Sequence, residues 1–442
     1  MLAALKDILH GILAPSLYIG LWVTIFAAIV RRAEWALYLL LILTPLPVVW
    51  YLLHPFPLGT STLDLLVLAV TLGIFINKQG FEFNATTVVL IVFIIINYLA
   101  LWNATIHFNL PIPFTTANPL LSDWKNYIEM IYLYWVAYAI GRDENQQKTL
   151  VVIMATVILL IMVREVRGFT EGSSFSYDKR AAGPFWIVGL GANHFAAFIA
   201  HYSGLLFGLF LVDKHKYRKW LYLGAVVASI YPLFFAYSRG AYIAALMVML
   251  VYGVLKKRLL LVGLIALGLT WQEVLPPTVV ERITMSETES GQIEESAAHR
   301  LVLWEHAKTA FSENMVFGVG FNSFGFTVPR GELTDTHNFY MKTAAEQGVI
   351  GLVIFTLVML RALLSGWSLF RSGVSQFHQG LGLGFIGCVF AIAVTNVFGD
   401  RWSYFMLGSY FWVFWGLVDR AVRIAREPTP ETPAPVPPAT AT

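Results

Sequence analysis

Long apolar stretches recur along the whole chain and are separated by short segments that carry most of its charges. They lie near residues 14–30, 34–53, 62–76, 86–101, 127–140, 149–163, 185–212, 220–236, 241–255, 259–272, 349–360, 381–397 and 404–418. A transmembrane helix needs about 20 predominantly apolar residues. Several of these stretches are short or contain Pro or Gly, so we predict about 12 spans, with 13 as the alternative. The expected fold class is all-α, a polytopic membrane helical bundle.

The composition excludes two broad classes of protein. Of the 442 residues, 57% are hydrophobic and 13% are charged, whereas an ordinary soluble domain has about 25% charged residues. This leaves too little polar surface for a cytosolic enzyme or a secreted disulfide scaffold. The one cysteine, Cys388, lies in an apolar stretch and indicates neither a disulfide nor structural zinc. The first apolar stretch ends at Arg31 and Arg32, so no removable signal peptide is expected.

Basic residues gather in alternate loops, and these loops orient the bundle. They include Arg31, Arg32, Lys78, Arg142, Lys148, Lys214, Lys216, Arg218, Lys219, Lys256, Lys257, Arg258, Arg361, Arg371, Arg420, Arg423 and Arg426. By the positive-inside rule these loops are cytoplasmic. We therefore predict an N-terminal transmembrane bundle (1–272), a large helical periplasmic cap (273–348), C-terminal transmembrane helices (349–420) and a disordered Pro/Thr-rich cytoplasmic tail (427–442).

Two arginines lie at the predicted outer ends of apolar stretches. Arg180 precedes a Gly-Pro pair, and Asn193 then opens an apolar helix, so that a planar cation lies beside free backbone N–H groups. Such a setting suits an anionic oxygen ligand, although snorkelling of Arg180 to lipid headgroups is an alternative. Arg239, in a Ser-Arg-Gly sequence, lies between two apolar stretches with almost no loop. An arginine there is costly unless it faces a cavity or an anion.

Two further motifs lie in the predicted cap. Arg300 and Trp304 are one turn apart on a helical stretch, where an ion pair for the arginine and simple packing for the tryptophan are alternatives. His337 and Asn338 follow residues that favour helix N-caps, so we expect His337 in the first turn of the next helix. The positive end of a helix disfavours imidazolium, and a neutral imidazole can accept a proton. A plain polar cap residue is the alternative for His337.

Together these motifs place three arginines and one histidine on the same predicted face of the membrane. Arginine binds phosphate bidentately and stays protonated. A histidine beside an arginine-bound pyrophosphate suits displacement of that pyrophosphate by a hydroxyl. The sequence has no DxD, no HExxH and no His pair at i, i+4. We therefore predict a site without metal or other cofactor.

The motifs, in this order, resemble the O-antigen ligase/Wzy superfamily. The matching pieces are Arg180…Gly183…Asn193, Ser238-Arg239-Gly240, Arg300…Trp304, Gly318-Val319-Gly320 and His337-Asn338…Glu346-Gln347-Gly348. The resemblance is strongest over residues 220–365. It implies an integral membrane glycosyltransferase of the GT-C type in the bacterial inner membrane, with its active site facing the periplasm.

The resemblance also implies substrates and residue roles. The donor is a glycan linked to undecaprenyl pyrophosphate, the acceptor of an O-antigen ligase is a sugar hydroxyl of lipid A–core, and the other partners are membrane lipids rather than nucleic acid. By carry-over, Arg180, Arg239 and Arg300 bind the pyrophosphate, Asn193 and Asn338 are further substrate-binding residues, and His337 is catalytic, as general base or as positioner of the acceptor. With a single candidate base and no obvious second nucleophile, we expect a direct displacement that inverts the anomeric carbon.

Several alternatives stay open at this point. A Wzy-type polymerase would share the arginines but would join two lipid-linked repeats. A protein O-oligosaccharyltransferase usually has more extracytoplasmic chain after the shared region. A lipid or solute transporter should carry charges in the middle of its spans, and these stretches have almost none. A structural scaffold would leave Arg239 unexplained.

Overall fold

The computed structural model describes residues 2–80, 82–168, 176, 179–285, 295–329 and 335–426, and within these it is helical and contains no strand. The α-helices of these residues are α1 (Leu2–Val30), α2 (Glu34–Leu43), α3 (Pro47–Trp50), α4 (Thr62–Ile76), α5 (Ala85–His107), α6 (Leu121–Ile140), α7 (Glu144–Gly168), α8 (Ala192–Val212), α9 (Arg218–Phe235), α10 (Arg239–Leu255), α11 (Leu259–Val274), α12 (Pro277–Thr284), α13 (Glu295–Glu313), α14 (Phe339–Ser372), α15 (Gln376–Thr395) and α16 (Phe405–Arg426). The all-helical prediction is confirmed. The tail predicted at 427–442 lies outside the described residues.

Within the described residues, seven helical segments are long and apolar enough to cross a membrane. They are Gly11–Val30, Gly59–Ile76, Ala85–His107, Glu144–Gly168, Ala192–Val212, Phe339–Ser372 and Gln376–Phe398. Two further pairs, α2 with the turns up to Leu53 and α11 with α12, are bent by 106° and 107°, and the number rises to nine if each pair is one span. These are the helices of a polytopic helical membrane protein.

The predicted number of about 12 spans is not confirmed. The difference comes from apolar stretches that are too short or too charged to qualify by themselves. Helix α10 has 17 residues. The first half of α6 carries Asp123, Lys125 and Glu129, and α16 ends in a strongly charged segment.

Helices α8 and α15 form the centre of the bundle and are mostly buried. Small residues let their backbones approach closely, which is the usual basis of helix packing in membranes. A Cβ atom added to Gly208 of α8 would lie 2.5 Å from the Cα atom of Gly384 in α15. Helix α10 packs against both of these helices, and α14 packs against α15.

Helix α11 lies at the periphery and has no buried residue. Its large apolar side chains are strongly exposed, as for Leu259 (78%) and Leu269 (81%). In water such a surface would be a strong association hazard. In a polytopic membrane protein it is the surface that contacts lipid.

Two glycine-containing motifs, Gly318-Val319-Gly320 and Glu346-Gln347-Gly348, pack against each other. The backbone N–H groups of Val319 and Gly320 donate to the carbonyls of Ala345 (2.9 Å) and Glu346 (2.7 Å). Gly348 has φ +61°, interrupts the helical backbone of α14, and would place a Cβ atom 2.4 Å from the carbonyl oxygen of Val316. Only glycine fits this position without strain.

Candidate active site

One end of the bundle contains a cavity of about 340 Å³ with an unusual concentration of arginines. It is lined by Arg180, Arg239, Arg282, Arg300 and Arg401, together with Asn193 and His337. We call it the arginine cavity. The ends of α8 and α15 contribute Ala197 and Thr395 to it. Three arginines, one asparagine and the histidine singled out in the sequence therefore lie around one cavity.

Arg180 is held by two helix ends. Its Nε and Nη2 atoms donate to the carbonyl oxygen of Ala236 at 2.9 and 2.6 Å, at the turn between α9 and α10. Its Nη2 atom also donates to the Oδ1 atom of Asn193, in the first turn of α8, at 2.6 Å. Asn193 therefore orients the guanidinium of Arg180 as well as lining the cavity.

The Ser-Arg-Gly sequence forms a tight entry into α10. Tyr237 has φ +50°, Ser238 is extended as the N-cap residue, and Arg239 is the first residue of the helix. The Nη1 atom of Arg239 donates to the carbonyl oxygen of Met285 at 2.9 Å. A Cβ atom on Gly240 would lie 2.6 Å from the ring of Phe398, so the glycine lets α10 pack against the end of α15.

Two arginines of the cavity were missed by the sequence analysis. Arg282 of α12 and Arg401, which precedes α16, are 7% and 5% exposed. The Nε atom of Arg282 lies 3.5 Å from the carbonyl oxygen of Tyr237. Arg401 stands between two apolar stretches, in the same kind of setting as Arg239. The cost of an arginine in such a setting therefore indicates Arg401 as it indicates Arg239, whereas no sequence pattern indicates Arg282.

Burial makes the charge of Arg401 costly. Its guanidinium makes one hydrogen bond to the described residues, from Nη1 to the carbonyl oxygen of Asp400 at 2.8 Å. Burial lowers the pKa of Arg401, and the positive charge of Arg300 lowers it further, while Asp335 and Asp400 act in the opposite direction. A buried cation in this position is stabilised when an anion enters the cavity.

His337 does not lie in the first helical turn, and that prediction is wrong. Asn338 is the N-cap residue of α14, and its Oδ1 atom accepts from the backbone N–H groups of Tyr340 (3.0 Å) and Met341 (3.2 Å). Because Asn338 satisfies these N–H groups, the helix begins at Phe339 and His337 precedes it. Asn338 does not appear among the cavity-lining residues, and its substrate-binding role stays a prediction.

The loop that carries His337 is held on both sides. His337 has φ +53°, a region that histidine occupies more readily than most residues. The Oδ1 atom of Asp335 accepts from the backbone N–H of His337 at 3.1 Å, and its Oδ2 atom lies 3.6 Å from Nδ1 of the imidazole. Trp304 donates from Nε1 to the carbonyl oxygen of Thr336 at 2.9 Å. Trp304 thus anchors the loop to α13.

The surroundings of His337 favour a neutral imidazole. Burial lowers its pKa, as do the positive charges of Arg300 and Arg401, and the nearby carboxylate of Asp335 offsets part of this effect. From the sequence, the positive end of the helix is expected to keep this imidazole neutral, whereas in the structure burial and the arginines do so. A neutral imidazole whose Nδ1 faces a carboxylate leaves Nε2 as the proton acceptor.

Among the described residues, no group of three or more His, Cys, Asp or Glu side chains is arranged to hold a metal ion. Guanidinium groups bind phosphate oxygens through paired N–H donors. An imidazole at the edge of such a group can take a proton from a hydroxyl that attacks beside the bound phosphate.

Residues 224–356 match the family model described as O-antigen ligase. This match confirms the resemblance drawn from the sequence motifs. The matched segment includes Arg239, Arg282, Arg300 and His337 of the cavity, while Arg180 and Arg401 lie outside it. Among curated proteins, none matches this chain.

Proposed function

We propose that the protein, with its O-antigen ligase domain at residues 224–356, is a membrane glycosyltransferase that transfers a glycan from undecaprenyl pyrophosphate to a sugar hydroxyl of lipid A–core. The observation that supports this proposal is the convergence of five arginines and one histidine on a single cavity. A pyrophosphate presents several anionic oxygens close together. Such a group matches a cluster of planar cations better than a single carboxylate would.

The chemistry we infer is a direct displacement at the anomeric carbon of the donor. The acceptor oxygen forms the new bond, and the bond to the pyrophosphate oxygen breaks, with its electron pair leaving on the pyrophosphate. His337 takes the proton of the acceptor hydroxyl at Nε2. The arginines neutralise the charge that develops on the leaving group, which is where fixed positive charge is most effective. The product has the inverted anomeric configuration.

We further propose that the arginine cavity faces the periplasm and that the protein lies in the bacterial inner membrane. The opposite end of the bundle carries many basic residues. Lys256, after α10, contacts Gln379 at the start of α15 (3.2 Å), and Arg371 and Arg426 lie at the far ends of α14 and α16. The positive-inside rule puts that end in the cytoplasm. Residues 273–348 then form a periplasmic cap.

The full set of spans belongs to the same proposal. Helices α6, α9, α10 and α16 are individually too short or too charged to qualify as apolar spans, but each packs along apolar spans or along one another. A charged residue at the end of such a helix can reach the interface without breaking the span. Together with the seven apolar segments, the bent pair that begins with α2, and α11, whose partner α12 belongs to the cap, they would give 13 spans in a bundle of the GT-C type. The sequence predicts about 12 or 13.

The experiment that tests the activity uses purified protein, undecaprenyl-pyrophosphate glycan, and either lipid A–core or no second acceptor. A ligase yields glycan-modified lipid A–core, whereas a Wzy-type polymerase, the second candidate, lengthens the lipid-linked glycan. No product under either condition contradicts the proposal.

Two variants test the residue roles. Arg239→Ala should abolish transfer while leaving the protein folded, because it removes a pyrophosphate contact. His337→Ala should retain donor binding but stop product formation. Arg371→Ala is the matched control, since Arg371 lies at the other end of α14. Full activity of Arg239→Ala, or loss of donor binding in His337→Ala, would contradict the assigned roles.

A further inference from the structure

A second polar cavity, of about 380 Å³, lies between α14 and α16 at the end of the bundle opposite the arginine cavity. It is lined by Arg361, Ser365 and Ser368 of α14 and by Asp419, Arg423 and Arg426 of α16. We call it the α14–α16 cavity. Helix α14 begins two residues after His337, and α16 begins four residues after Arg401. The 22 residues of α16 extend about 33 Å, so the two cavities lie near opposite membrane faces.

The spacing of the lining residues shows that two helices turn polar faces toward each other. On α14 the lining residues recur at i, i+4 and i+7, as do Asp419, Arg423 and Arg426 on α16. Residues at these separations share one helix face. A polar face on each of two packed membrane helices is costly unless water or a polar ligand fills the space between them.

Arg361 is the deepest cation of the α14–α16 cavity. The loop charges predict that Arg361 lies in a cytoplasmic loop, but it lies inside α14, 11 residues before the helix ends at Ser372, a distance of about 16 Å. Its Nε atom donates to the Oγ1 atom of Thr86 at 2.9 Å. This is an arginine within a span, which by itself indicates a functional position.

The carboxylate of Asp419 is engaged by other groups. Its Oδ2 atom accepts from Thr86 at 2.5 Å and from Tyr134 at 2.8 Å. Thr86 therefore stands between Arg361 and Asp419. The hydroxyl hydrogen of Thr86 goes to the aspartate and its oxygen accepts from the arginine, so Asp419 satisfies Arg361 only indirectly.

The rim of the cavity is also basic. Arg426 and Arg423 are exposed, and the Nη2 atom of Arg426 donates to the Oγ atom of Ser368 at 3.3 Å. Arg423 pairs with Glu82 outside the cavity lining. Three arginines thus line the cavity against the single carboxylate of Asp419, and the balance of charge favours an anion with hydrogen-bond-accepting oxygens.

We propose that the α14–α16 cavity binds the phosphate group of an anionic phospholipid headgroup. Basic pockets between transmembrane helices are established sites for such headgroups. The adjoining face of α14 exposes Leu360 (50%), Leu364 (57%) and Trp367 (43%). A phosphate held by Arg361 and Arg426 would therefore lie beside an apolar surface suited to acyl chains. This site does not depend on the proposed transferase activity.

The test measures how lipids protect the folded protein in neutral detergent. Cys388 is fully buried, so its reaction with a thiol-reactive dye on heating reports unfolding. Phosphatidylglycerol, phosphatidylcholine and inorganic phosphate are titrated separately. Phosphatidylglycerol should raise the unfolding midpoint of the wild type, and the other two should not at the same concentrations.

Variants then show whether phosphatidylglycerol protects the protein by binding in the α14–α16 cavity. Arg426→Gln and Arg361→Gln should each weaken the apparent affinity for phosphatidylglycerol by about fivefold. Arg371→Gln is the matched control, because Arg371 is an exposed arginine near the end of the same helix, and its response should equal that of the wild type. If Arg361→Gln does not fold, Arg426→Gln at the exposed rim decides the question, and Arg361→Lys should retain most of the binding.

Three results would overturn the inference. The first is equal protection by phosphatidylcholine. The second is equal weakening in Arg371→Gln, which would indicate general attraction to charge. The third is equal protection by inorganic phosphate, which would make the cavity a site for a soluble anion. Because no glycan donor is used, failure here leaves the proposed transferase untouched, and an inactive transferase leaves this result unchanged.

Discussion

Replacing Arg401 by glutamine should reduce transfer strongly without destabilising the protein. Arg401 lines the arginine cavity, is 5% exposed, and makes one guanidinium hydrogen bond to the described residues. Its buried charge therefore costs stability in the absence of substrate. We expect this cost to be offset by the pyrophosphate, the anion that we propose the cavity binds.

The expected changes in the free energy of unfolding and in kcat follow from these contacts. Loss of the hydrogen bond to Asp400 costs at most about 1.5–3 kcal/mol, and a glutamine amide can replace part of it. Removing a buried charge recovers up to several kcal/mol. The free energy of unfolding of Arg401→Gln should thus stay within about 2 kcal/mol of the wild type, or rise. The loss of one fixed donor to a developing charge should lower kcat by about 10²–10³.

Two measurements separate the effect of the substitution on stability from its effect on transfer. Unfolding is followed by the reaction of buried Cys388 with a thiol-reactive dye, and transfer is followed in single turnovers with a lipid-linked glycan donor. Arg401→Lys keeps the charge but loses the planar pair of donors, so its rate should lie between those of the wild type and Arg401→Gln.

A large loss of stability or an unchanged transfer rate in Arg401→Gln would contradict these expectations. If Arg401→Gln loses about 3–5 kcal/mol of stability, the arginine is a partner in a buried structural pair. If its transfer rate remains within threefold of the wild type, Arg401 does not act on the leaving group.

Three other predictions follow from the structure. If His337 is the base, activity should fall only as the pH drops below about 6.5, because burial and the nearby arginines lower the pKa of His337. Arg300→Gln removes one of these positive charges and should move the fall in activity to higher pH in a profile of kcat against pH. An unmoved profile would count against the assignment of His337 as the base. Gly348→Ala should lower the unfolding midpoint far more than Gly373→Ala. Both glycines have a left-handed φ, but only a Cβ atom at Gly348 would meet other atoms. Equal shifts of the midpoint would mean that backbone strain alone matters. EDTA should leave the transfer rate unchanged, and inactivation that is reversed by a divalent cation would refute direct displacement without a metal.

The sequence predicted the kind of fold well because the evidence for it is local. Apolar stretches and sparse charge identify membrane helices without knowledge of their partners. The number of spans could not be predicted in this way, because α6 and α16 mix apolar residues with charged ones. Neighbouring helices in the bundle accommodate these charges. The position of Arg361 was misjudged for the same reason, because the cavity that makes an arginine tolerable inside α14 is formed by another helix.

The candidate site was predictable in part. Arg180, Arg239, Arg300 and His337 were found because each is a polar residue in a motif or an apolar setting, and the structure brings them to one cavity. Arg282 lay in a polar segment without any pattern of its own. The start of α14 was misplaced by one turn or less because several consecutive residues favour an N-cap, and only the hydrogen bonds of Asn338 identify which one serves.

The sequence by itself determined that this is a helical membrane protein with arginines in places where an unpaired charge is costly. Hydrophobicity and charge are properties of each segment and do not depend on its partners. The tertiary structure decided that Arg180 and Arg401, more than 200 residues apart, line the same cavity, and that a second basic cavity lies at the other end of α14 and α16. Cavities are formed by helices distant in the chain, and their shape depends on how closely glycines such as Gly240 and Gly384 let those helices pack.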